Sequence, residues 1–180
     1  MERNSEDRAR RAEEMCAAAL WPEVLAFAQH WHEEDSRNHR AFYYIGLGLR
    51  GMGQPAQAET AFRRALAMDP TDFEIWEQLA ELLSKNLRRP AEGVRCLRRA
   101  LKINPRHKLG WLQLAALADD MGSHLKALEC AEQAIALDPK LVEAYLRKAA
   151  AARALGRLDL VKDACRRLAA IEPEYFRRPS

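Results

Sequence analysis

The chain has 180 residues, 48% of them hydrophobic, 31% charged and 7% aromatic, with 8 Gly and 8 Pro. That length suits one domain or one short repeat array, and sparse Gly and Pro beside abundant Ala, Leu, Arg and Glu exclude collagenous, low-complexity and glycine-rich β architectures. The net charge of +3 does not by itself indicate a nucleic-acid partner, although Lys85 to Lys108 carries nine basic residues against Glu92 alone, a local +8 that leaves −5 for the rest.

At the N-terminus, Glu2, Glu6 and Asp7 mix with Arg3 and Arg8, and the apolar run from Met15 is broken by Trp21, Pro22 and Glu23. This is unlike the apolar core of a signal peptide. No stretch of about eighteen apolar residues is present, so no membrane span is predicted. Cys16, Cys96, Cys130 and Cys165 form no Cys-x-x-Cys pair. That disfavours a zinc ribbon or dithiol centre and predicts small buried thiols in a reducing compartment, with the even count leaving disulfides open. A soluble cytoplasmic protein is expected.

Self-similarity is the dominant feature. Met68-Asp69-Pro70, Ile103-Asn104-Pro105, Leu137-Asp138-Pro139 and Ile171-Glu172-Pro173 recur at separations of 35, 34 and 34 residues. Proline lacks a backbone donor and restricts its predecessor, so each marks a helix end. In register with these stand Phe42, Trp76, Trp111 and Tyr145, each with a small residue four positions on (Gly46, Ala80, Ala115, Ala149). This places knob and gap on one helical face. Ala58, Gly93, Ala127 and Val161 open the second helix of each unit, where small side chains let antiparallel helices approach.

The pattern resembles the tetratricopeptide repeat, W-x2-L-G-x2-Y then A-x3-F-x2-A then P. Residues 39–72 match best, through Phe42, Ile45, Gly46, Leu49, Ala58, Phe62, Ala65 and Pro70. Residues 73–107 follow with one extra residue near Asn86 to Pro90, then 108–141 and 142–175, where Lys148 and Cys165 replace Leu and Phe. Residues 1–38 are expected to be a degenerate repeat or a helical cap: Trp21, Val24, Ala28 and Trp31 fit the second helix, whereas Arg8 and Arg11 stand where an aromatic and a Leu belong. Residues 176–180 are expected to be a C-terminal tail. The resemblance implies an all-α fold, a right-handed superhelical solenoid of stacked helix-turn-helix repeats. With no room for a capping helix after Pro173, the last hairpin, or Tyr175 and Phe176, is expected to seek a self-contact or a partner.

The resemblance further implies a concave groove lined by the first helices. Carried over, its contact positions are Arg40, Tyr43, Leu47 and Arg50; then Glu74, Glu77, Glu81 and Lys85; then Leu109, Leu112, Asp119 and Asp120; and lastly Glu143, Leu146 and Arg153. Exposed leucines and an acidic middle suit a protein or peptide partner with apolar anchors and basic residues. The Lys and Asn clamp by which one branch of the family grips a C-terminal carboxylate is absent; Tyr43, Leu47 and Gln78 stand there. A non-enzymatic interaction scaffold is therefore expected. The aromatic run Phe42 to Leu49 also looks like the groove helix of bacterial type III translocator chaperones, which gives an alternative, a chaperone for a hydrophobic secreted substrate.

Arg63-Arg64, Arg98-Arg99 and Arg166-Arg167 recur in phase on second helices, a broken convex stripe that RNA or an anionic surface could use. No aromatic residues interleave with it, which disfavours nucleic acid. His30-Trp31-His32-Glu33-Glu34-Asp35 is the densest polar cluster, yet His30 and His32 point to opposite sides of a helix. No metal, cofactor or catalytic site is predicted, and no nucleophile motif or phosphate loop is present.

Overall fold

Pro70, Pro105, Pro139 and Pro173 each lie two residues beyond a helix end. The helices they close are α4 (Pro55–Met68), α6 (Pro90–Ile103), α8 (His124–Leu137) and α10 (Leu158–Ile171). Each pairs with a preceding first helix: α3 (His39–Gly51), α5 (Phe73–Glu81), α7 (Lys108–Asp120) and α9 (Val142–Ala154). Before them come α1 (Glu2–Ala17) and α2 (Trp21–Glu34). This computed structural model describes residues 2–173, with side chains from Ser5, and contains no β-strand among them. Tyr175 and Phe176 lie outside the described residues. The chain divides into two units, Met1–Ile103 and Asn104–Ser180.

In the first unit the signature residues make the core. Phe62 is fully buried, and its ring occupies the space where a Gly46 side chain would be, 2.5 Å from an ideal Cβ. The absent side chain at Gly46 is therefore the socket for Phe62. At Gly48 the backbone nitrogen of Leu25 would lie 3.1 Å from an added Cβ, and at Gly51 the Trp21 indole would lie 2.1 Å away. Glycine thus lets α2 lie directly on α3. Trp31 stacks on Tyr44 with centroids 6.0 Å apart, and the Tyr44 hydroxyl donates to the Ala9 carbonyl at 3.2 Å.

Arg8 and Arg11 are accommodated by a transfer of bulk to α2. Arg11 lies over the Phe27 ring, 5.3 Å from its centroid, and Arg8 pairs with Glu34. A cleft of about 320 Å³ remains beside them, with Phe27 and Trp31 in its lining.

The turns inside the hairpins share one geometry. Gly53, Gly122 and Gly156 have φ near +70°, and each is bracketed by the two backbone bonds of a Schellman motif, such as Gly53 N–H to Arg50 and Gln54 N–H to Leu49. Ala19 and Arg88 take the same position with φ 55°. At Arg88 the turn also absorbs the extra residue of the second repeat. The last turn of the α5 hairpin arm widens into a π-helical segment, Leu82–Asn86, and the Arg89 N–H reaches back six residues to Leu83. A single-residue insertion resolved inside a helix takes this form. The left-handed conformation strains Arg88 but not glycine. Arg88→Gly is accordingly expected to raise stability by about 0.5–1 kcal/mol, seen as a higher urea midpoint; a lower midpoint would contradict the strain argument.

The recurring aromatics and prolines are hydrogen-bonded to one another. The Trp76 indole N–H donates to the Pro70 carbonyl at 3.0 Å, the Trp111 N–H to Pro105 at 2.8 Å, and the Tyr145 hydroxyl to Pro139 at 3.1 Å. Trp76 and Trp111 therefore make the same bond in their own units. Phe42 has no such donor, and Ser36 replaces the proline before it. In the second unit Tyr145, Ala164 and Leu168 form a buried cluster with Leu146 and Ile171 beside it. Lys148, at a position where Leu is usual, is tolerated because its amino group reaches Glu132 at 3.3 Å and Asp163 at 3.5 Å. Cys96 and Cys130 are buried, Cys16 and Cys165 half-exposed, and all four are free thiols.

Candidate functional site

The first helices α3 and α5 start from capped ends that fix their side chains. The Asn38 side chain accepts from the Arg40 N–H at 3.0 Å, and the Asp72 carboxylate accepts from the Glu74 and Ile75 N–H groups. Asp72 is also the hub of a charge cluster, 3.3 Å from His39 Nε2 and 3.2 Å from Arg40 Nε. Its side chain is 6% exposed. Burial works against its ionisation, yet the His39 hydrogen bond, the Arg40 charge and the Ile75 N–H outweigh it and hold its carboxyl below the ordinary range.

Across the two helices run ion pairs between residues about one repeat apart. Arg40 meets Glu74 at 2.7 Å. Arg50 meets Gln78 at 2.7 Å and Glu81 at 3.0 Å, and Lys85 closes on Glu81 at 2.9 Å. Although Glu81 is partly buried, the Lys85 hydrogen bond and the Arg50 charge keep its carboxyl below its usual value. The acids expected to read a basic partner are thus already neutralised by Arg40, Arg50 and Lys85, so the face of the first unit is zwitterionic. Glu77 corrects the expectation further: it is 8% exposed and belongs to the interior.

The apolar strip is corrected in the same way. Leu47 is 8% and Leu112 4% exposed, because both point between helices into the core, where Leu112 packs with Ala134 and Ala144. Tyr43 is half-buried against Tyr44 and Phe62, with Arg40 5.3 Å from its ring, and burial followed by the Glu74 charge pushes its phenol far up. Phe42 is covered by His32, 4.4 Å between centroids, and by Arg64. The aromatic run of α3 is engaged in internal packing, which leaves the chaperone alternative without exposed rings in α3.

In the second unit, α7 and α9 present a different surface. Leu109 is 49% exposed, Leu146 is half-buried, and Ala116 and Ala150 are half-buried between them and the polar ends. Asp119 is paired with His124 at 2.7 Å and Glu143 with Arg147 at 3.3 Å. Asp120 and Arg153 are exposed. Sequence reasoning did not single out His124 or Asp72. The pairing of Asp119 with His124 across a five-residue turn carries no periodic signal, whereas an Asp just before an apolar helix is a recognisable cap.

His30 lies near Glu33 and Glu34, and no group of three metal-ligating side chains occurs among the described residues. Nor is any described helix long and apolar enough to cross a membrane.

An all-helical chain of paired helices, with aromatic–proline bonds in phase, is a helical-repeat protein. The sequence profile of the tetratricopeptide repeat matches residues 39–82, 73–107 and 110–141, more than half of the chain, and the chain belongs to the tetratricopeptide repeat family. It is 28% identical over 65 residues to human Superkiller complex protein 3 and 31% identical over 65 residues to Tetratricopeptide repeat protein 37 of Xenopus laevis. Each match covers 36% of this chain and only 4% of the relative. Among solved structures, MamA superposes with a TM-score of 0.81 at 19% identity, over 91% of this chain and 95% of that one. YrrB, described as a TPR protein with an unusual peptide-binding site, gives 0.75 at 20% identity, over 97% and 91%. These likenesses establish the fold.

Proposed function

We propose that the chain is a non-enzymatic protein-interaction module that holds a partner segment against its first-helix faces and so helps assemble a larger complex. The observation that carries this reading is Leu109, half-exposed at the start of α7, with Leu146 on the next first helix α9 and exposed Asp120 three turns on, about 16 Å along α7. An exposed apolar side chain at one end of the helix and an exposed acid at the other suit a segment with an apolar anchor and a Lys or Arg several residues away from it. The peptide-binding site of YrrB supports a module of this kind.

Selection of a displayed random-peptide library on the immobilised protein tests the reading. Selected peptides are expected to share a bulky apolar residue with a basic one about five residues away in an extended segment. Leu109→Glu should weaken them about tenfold or more, and Asp120→Lys should weaken chiefly those with a basic flank. Peptides that bind Leu109→Glu as well as the wild type would overturn the assignment.

A further inference from the structure

We infer that the second-helix face of the first unit, formed by α4 and α6, is a separate docking surface for an acidic protein segment. Four of the nine basic residues between Lys85 and Lys108 lie on α6, and Arg63 and Arg64 of α4 add to them. Arg63, Arg64, Arg95, Arg98, Arg99 and Lys102 are all exposed, and the face holds only two acids, Glu59 and Glu92. Both acids are recessed, with side chains 16% and 28% exposed, and both are held by cations: Glu59 by Arg63 and Arg89 at 2.8 Å, Glu92 by Arg89, Arg63 and Arg95. These bridges also join α4 to α6, since Arg89 beside α6 reaches Glu59 and Arg63 of α4 reaches Glu92. Beyond them the C-terminal halves of the two helices carry cations alone. Arg98, Arg99 and Lys102 make no ion pair among the described residues.

The spacing fits a helical or extended acidic segment. Arg95, Arg98 with Arg99, and Lys102 fall at i, i+3 with i+4, and i+7, one face of α6 about 10 Å long. Asp or Glu at the same intervals would meet them in turn, and guanidinium groups offer bidentate geometry for carboxylate. A single-stranded nucleic acid fits less well, because it needs exposed rings for stacking, and Phe42, over which Arg64 lies, is also covered by His32. A duplex fits less well because the row on α6, about 10 Å long, spans only about three base pairs, far less than the footprint of a duplex-binding module. This surface uses none of the first-helix residues and stands or falls independently of Leu109.

The test is fluorescence anisotropy with a labelled helical peptide of roughly fifteen residues bearing Glu at i, i+3, i+4 and i+7, beside a duplex RNA of about 20 base pairs. The triple reversal Arg98→Glu, Arg99→Glu, Lys102→Glu is compared with Lys126→Glu, Lys140→Glu, Lys162→Glu, which makes the same change in net charge on exposed residues of the second unit. Circular dichroism verifies that both variants remain folded. Wild type and the second-unit variant are expected to bind the peptide alike, and the α6 reversal about 30-fold or more weakly. Equal loss in both variants, no loss in the α6 reversal, or tighter binding of the duplex than of the peptide would each overturn the proposal.

Discussion

Replacing Phe62 by Ala is expected to lower stability by about 3–5 kcal/mol, the usual cost of emptying a fully buried aromatic site. The sharper expectation concerns its partner. Gly46→Ala should gain up to about 1 kcal/mol from helix propensity, yet its Cβ would come 2.5 Å from the Phe62 ring. The ring has no exposed side on which to yield, so in the wild type the substitution is expected to be destabilising by about 1–2 kcal/mol. In the Phe62→Ala background the obstruction is gone, and the same change should become stabilising. Urea melts of the four proteins close a double-mutant cycle. Additive effects would mean that Gly46 and Phe62 do not share one space.

Asp72 is expected to rank next. Asp72→Ala removes the cap of α5 and the counter-ion of Arg40 and His39 together, for a loss of about 2–4 kcal/mol. The same carboxylate sets an acid limit. Its folded pKa is depressed, as are those of Glu81 and Asp69, the last through its hydrogen bonds from Thr71. Groups shifted downward contribute stability fully above their unfolded values, about 3.9 for Asp and 4.3 for Glu, and lose it as pH falls through the folded ones. The urea midpoint should therefore be level from pH 5 to 7 and decline below about pH 4. Asp72→Asn, which retains a capping oxygen, should show a shallower decline. An unchanged acid limb in that variant would remove Asp72 from the account.

Much of the fold was legible because its punctuation is local. Proline ends a helix for reasons contained in two residues, and Pro70, Pro105, Pro139 and Pro173 gave the beat from which the helical pairs followed. The aromatic at the fourth position and the small residue four beyond it were readable for the same reason. The site was less legible because its chemistry depends on residues about a repeat apart. That Arg40 would neutralise Glu74, and Arg50 Glu81, follows only when α3 lies beside α5. Leu47, Glu77 and Leu112 occupy family contact positions, yet all three are buried between helices. Lys148 shows the converse: an apparent departure from the pattern is satisfied by two carboxylates from neighbouring helices, which one-dimensional matching could not anticipate.

The loosened coil at Leu82–Asn86 makes the chain forgiving of length errors at one place. An additional residue in the middle of α4 would rotate every later side chain of that helix by about 100° and carry Ala65 and Leu66 out of the interior. The supernumerary residue of the second hairpin does no such damage, because the misfit is confined to a single turn and the thirty-four-residue rhythm resumes at once from Pro105 to Pro139. The junction between α5 and α6 is thus a natural port for grafting foreign sequence into this scaffold.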